Sequence, residues 1–125
     1  MSADARQPSR AMTLARRAAL SLWALAIWIG SLIPLSGPVA PGGDKLQHFA
    51  GYGGLALLAM WNCPRPLPVW LACTAMGVAV EFAQALTPYR SFDVADMLAN
   101  GAGALLGVLL GILFQRVFPQ ARPLA

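Results

Sequence analysis

The chain has 125 residues, of which 58% are hydrophobic and 11% charged, and its net charge is +4. Ordinary soluble domains hold about 25% charged residues, and a globule this small cannot bury so large an apolar fraction. The composition therefore excludes a soluble globular domain, and the basic residues flank apolar runs instead of forming the single patch of a nucleic-acid binder.

In chain order, residues 1–17 read as a basic tail holding Arg6, Arg10, Arg16 and Arg17. The first apolar run, 18–35, is long enough to span a bilayer core of about 30 Å, and Pro34, Gly37, Pro38 and Pro41 break it. Two arginines before an apolar stretch also fit a secretory signal peptide. Against that reading, the run carries Trp23 and Trp28, and Pro38 stands where a cleavage site wants a small residue, so a retained membrane helix is expected. The second run, 45–61, is shorter and contains glycine; the polar turn Asn62-Cys-Pro-Arg-Pro follows it. The third, 67–86, closes at Thr87-Pro88. The fourth, 94–114, precedes a tail over 116–125.

Only helices satisfy their own backbone groups in lipid, so the expected fold is an all-α integral membrane bundle of about four transmembrane helices. Segments rich in Lys and Arg stay in the cytoplasm. With the N-terminus inside, inner segments hold Arg6, Arg10, Arg16, Arg17, Arg65, Arg116 and Arg122, and outer ones only Lys45 and Arg90; both termini are expected to be cytoplasmic. Cys63 and Cys73 lack a disulfide or metal spacing and are expected to be unpaired thiols.

The few polar residues near membrane depth carry the functional signal. Asp44, Lys45, His48 and Tyr52 open the second helix, Glu81 and Gln84 end the third, Arg90 lies in the connection, and Asp93, Asp96 and Asn100 open the fourth. In an up-down bundle those three ends share one membrane face. At about 1.5 Å rise per residue, His48 lies about 6 Å inward of Asp44 and Asn100 about 10 Å inward of Asp93. Spacings of three and four put each set on a single helix face. An acid at membrane depth costs about 2.5–3.5 kcal/mol, so such groups turn to the bundle interior or to water, and a shared polar pocket is expected.

Structural roles compete for the same residues. Asp44 with Gln47 resembles a capping box, and Asp93 with Asp96 suits the N-terminus of the fourth helix. Arg90 reads equally as a loop charge, Tyr52 as an interfacial aromatic, and Glu81 as an interhelical partner of His48 or Arg90. His48, one turn inside a helix, has no such role. Gly103, Gly107 and Gly111 recur every four residues on the fourth helix and invite close helix approach; packing within the bundle is the default and a contact between two copies the alternative. Gly51, Gly53 and Gly54 suggest the same for the second helix.

The segments Asp44-Lys-Leu-Gln-His48-Phe-Ala-Gly-Tyr52, Glu81-Phe-Ala-Gln84 and Arg90-Ser-Phe-Asp93-Val-Ala-Asp96-Met-Leu-Ala-Asn100-Gly-Ala-Gly103 together resemble the VanZ-like family over residues 40–115. The resemblance implies a small multi-pass protein of the bacterial inner membrane, with a relative associated with teicoplanin resistance. It names a family more than a reaction.

The favoured reading is a non-catalytic envelope protein that binds a lipid or lipid-linked anionic headgroup at the outer face. Lys45 and Arg90 would meet phosphate, and His48, Tyr52 and Gln84 would supply hydrogen bonds. One alternative is a small enzyme with His48 and Glu81 as acid and base and an ion on the aspartate pair; another is a proton-coupled transporter. No nucleophile motif or cofactor loop is present in the sequence, so no cofactor and no resident metal is expected. The expected partners are membrane lipids, a lipid-linked envelope precursor and a second copy of the chain, with no nucleic acid.

Overall fold

The computed structural model describes residues 7–34 and 42–119. Arg6, Gly37, Pro38, Pro41 and Arg122, named above, and residue 35 at the end of the first run lie outside the described residues. Four helices follow one another: α1 Arg10–Leu32, α2 Gly43–Asn62, α3 Pro66–Ala85 and α4 Val94–Val117. The fold is all-α, as its apolar runs require.

Local chemistry sets the helix ends. α1 begins at Arg10, ahead of the apolar run, because the Ser9 hydroxyl accepts a hydrogen bond from the Met12 amide and the basic stretch is built of good helix formers. Residues assigned to a tail therefore belong to the first helix. α2 starts after Gly42, whose φ of 76° is left-handed and suits glycine. No side chain caps α2, so Asp44 and Gln47 form no capping box. Pro66 opens α3, where its missing N–H costs nothing. At α4 the expected cap is present: the Asp93 carboxylate accepts from the Ala95 amide at 2.8 Å.

α1, α3 and α4 are long and apolar enough to cross a membrane. α2 matches α3 in length, but Asp44, Lys45, Gln47 and His48 make its first turns polar. Large apolar side chains cover the exterior, among them Leu22, Leu98, Leu109 and Leu113, each more than half exposed. Such a surface faces lipid comfortably and water poorly.

The core runs along α2 and α4, the most extensively packed pair, through Tyr52, Leu55, Ala56, Met60, Ala104 and Val108. Glycine makes that approach feasible. A Cβ on Gly103 would collide with the Phe49 carbonyl, and one on Gly107 with the Gly53 carbonyl, so the two backbones touch. A Cβ on Gly111 would stand 2.7 Å from that of Met60. The stripe therefore packs within the bundle. The glycines of α2 divide their work: Gly53 faces Gly103, while Gly54 lies under the Trp23 ring of α1. The Trp23 indole N–H donates to the Gly51 carbonyl at 2.8 Å, and α1 packs on α2 and α3.

The bundle has two different ends. At one, Arg16 stacks over Trp61, the Asn62 amide donates to the Arg16 carbonyl, and Gln115 donates to the Met60 carbonyl. Arg10, Arg16, Arg17, Arg65 and Arg116 therefore belong to this end. At the other, Lys45, Glu81, Arg90 and Asp93 are joined by the contacts described next. Both cysteines are free thiols, Cys63 exposed and Cys73 buried.

Candidate functional site

At that second end the ten sequence-selected residues separate into a charged cluster and a cleft, with His48 common to both. The cluster centres on Lys45. Its ammonium lies 3.2 Å from Asp93, 3.4 Å from Asp96 and 3.7 Å from Asp44. Asp93 is held from two sides: the Ala95 amide, first, and then Lys45 keep its carboxyl below the ordinary value near 3.8. The Asp93 amide in turn donates to the Glu81 carboxylate at 3.3 Å, tying the start of α4 to the end of α3.

Deeper in the bundle the geometry tightens. His48 Nδ1 lies 2.9 Å from Oδ1 of Asn100, which is fully buried. An amide oxygen can only accept, so Nδ1 donates to it. Nε2 faces a carboxylate oxygen of Asp96 at 3.6 Å. Glu81, also fully buried, closes the group: one ligand-type atom from each of His48, Glu81 and Asp96 lies within 4.8 Å of the others. One buried oxygen of Glu81 and one of Asp96 have no hydrogen-bond partner, although the Lys45 charge lies near the latter. Asn100 is seated by Gly77, where a Cβ would approach the Asn100 Cβ to 2.9 Å. Sequence reasoning missed Gly77.

The cleft lies between α1, α2 and α3 and encloses about 170 Å³. Its polar wall is His48, Tyr52, Gln84, Arg90, Gln47 and Ser31, opposite Ala26 and Ile27. Tyr52 is a buried residue and not an interfacial one, and its hydroxyl has no partner. Arg90 is more than a loop charge. It donates to the carbonyls of Gly30 and Ile33 at 3.3 and 3.4 Å, where α1 ends with free acceptors. Gln84 reaches the Ser31 carbonyl and Tyr89 that of Leu32. The α1 contribution was not legible, because nothing in the spacing of α1 marks its last carbonyls as partners.

Lys45 contacts three acids and does not line the cleft with Arg90. Of the aspartate pair, Asp93 caps α4 and both aspartates contact Lys45. Among the described residues, the ligand-type atoms that come close enough together to hold a metal ion are those of His48, Glu81 and Asp96.

A Schizosaccharomyces pombe protein bearing the name "Uncharacterized protein C11E3.10" is 32% identical over 82 residues, which is 61% of this chain and 51% of the yeast protein. The chain thus spans about half the length of that relative. No solved structure gives a significant match. The VanZ/LLP1 family profile matches residues 6–115, taking in the first helix as well as the polar cluster. On that match, the chain belongs to the VanZ/LLP1 family.

Proposed function

We propose that this is a multi-pass protein of the bacterial inner membrane that binds the anionic headgroup of a lipid, or of a lipid-linked envelope precursor, in the cleft beside α1. The observation that carries the reading is Arg90 at a polar cleft in an otherwise apolar bundle, next to the unpartnered Tyr52 hydroxyl and to His48 and Gln84. A guanidinium with free N–H groups suits phosphate, and the hydroxyl and amide add orientation. Lys45 is occupied by its acids, so anion recognition falls on Arg90.

The orientation rests on the basic residues gathered at the opposite end, which favour a cytoplasmic position there and an outer-face position for the cleft. An effect on glycopeptide susceptibility is supported by family resemblance, and a deletion strain challenged with teicoplanin tests it. Native mass spectrometry of the protein released from nanodiscs tests the binding itself. Wild-type protein should retain phosphatidylglycerol in preference to phosphatidylcholine, and Arg90→Gln should lose that preference. Equal retention of both lipids by the wild type would overturn the proposal.

The acid–base alternative has one observation in its favour, the close approach of Glu81, His48 and Asp96 at the deep end of the same site. Release of a labelled headgroup from the bound lipid, abolished by Glu81→Gln, would move the assignment to an enzyme.

A further inference from the structure

Buried charges are ordinarily paired or coordinate a metal. Around His48 that rule is not met by protein groups alone. The carboxylates of Asp44, Asp93 and Asp96 gather about the Lys45 ammonium, while Glu81 lies beside the Asp93 amide, His48 and Asp96, with no Lys or Arg contacting it among the described residues. Glu81 is fully buried with one oxygen unpartnered. With Nδ1 against the Asn100 amide oxygen, His48 turns its other ring nitrogen, Nε2, toward a carboxylate oxygen of Asp96 at 3.6 Å.

We propose that His48, Glu81 and Asp96 hold a first-row divalent metal ion, for which zinc is the probe. Tetrahedral zinc with bonds of about 2.0–2.1 Å sets its ligand atoms about 3.3 Å apart. The 3.6 Å His48–Asp96 separation is already close to that, and a group spanning 4.8 Å closes by side-chain rotation. One imidazole with two carboxylates suits zinc, manganese or iron better than the all-oxygen preference of magnesium or calcium. Three protein ligands leave a coordination position open. The contact from Nδ1 to Asn100 is the outer hydrogen bond by which a metal-ligating histidine is oriented, so Asn100 is a positioning residue. Two carboxylates balance a divalent charge, which removes the cost of leaving Glu81 unpaired away from water. This inference does not depend on what enters the cleft.

The test uses tag-free full-length protein, whose one histidine is His48. After stripping with chelator and dialysis against zinc chloride, elemental analysis should find about one zinc per chain. The X-ray absorption spectrum of that sample should show one imidazole with oxygen donors and no sulfur. His48→Gln and Glu81→Gln should each weaken zinc binding by more than the roughly 10- to 100-fold typical of outer-shell losses, with metal-free melting curves confirming that the variants fold. Absence of retained zinc, a sulfur shell from Cys63 or Cys73, or undiminished zinc in the folded variants would overturn the proposal. If neither variant folds, the wild-type spectrum decides alone.

Discussion

Gly77 on α3 and Asn100 on α4 fit together so closely that a methyl group on the glycine would stand 2.9 Å from the Asn100 Cβ and 3.0 Å from its amide nitrogen. Asn100 in turn fixes the ring of His48. Gly77→Ala should therefore push Asn100 aside and release the histidine. The expected result is a loss of about 1–3 kcal/mol in stability, the usual range for overpacking, read from denaturation in detergent. Unchanged stability would show that α3 and α4 separate freely at this level.

The α2–α4 contact offers a sharper comparison. Gly103→Ala and Gly107→Ala each place a methyl group against a backbone carbonyl, which cannot rotate away as a side chain can. Each should cost about 1–3 kcal/mol or abolish accumulation of folded protein. Gly101→Ala meets only Thr74, at 3.8 Å, and should be tolerated. Equal behaviour of the three variants in a thermal melt would refute the backbone contact.

Removing the Lys45 ammonium, as in Lys45→Met, strands Asp93, Asp96 and Asp44 together. Stability should fall, and added salt should recover part of it because the pairs are partly exposed and open to screening. The double variant Lys45→Met with Asp93→Asn should be more stable than Lys45→Met alone. A melt indifferent to both salt and the second substitution would mean that the cluster contributes nothing to the fold.

Topology can be read from a native residue. Cys63 is exposed at the basic end and Cys73 is buried, so a membrane-impermeant maleimide should label intact cells only after permeabilisation. In a Cys63→Ser background, Pro88→Cys, at an exposed turn on the other end, should label without it. Reversed labelling would invert the orientation, and with it the face from which a ligand reaches the cleft.

Much of this arrangement was legible from spacing. The apolar runs give the helices, and the rise per residue brings Asp44–Tyr52, Glu81–Gln84 and Asp93–Asn100 to one end of an up-down bundle. What stayed hidden depends on how each helix is rotated about its own axis. α3 is apolar nearly all round, so no stripe reveals that Gly77 looks at Asn100. The division between cluster and cleft was hidden for a related reason. Whether Arg90 turns to the acids or to the carbonyls of α1 is decided by the three-dimensional path of the 86–93 connection. The position of α1 was equally unreadable, since it rests on a tryptophan over two glycines and on backbone carbonyls, and spacing marks none of these as partners.

Among the described residues, α1 is held by chain that precedes α4: Trp23 on Gly51 and Gly54, Arg16 with Trp61 and Asn62, and Gln84, Tyr89 and Arg90 on its last carbonyls. α1 can thus dock on α2 and α3 while the ribosome is still making α4. The cleft would be walled before α4 joins the bundle. The charged cluster has to wait, because Asp93, Asp96 and Asn100 come with the start of α4.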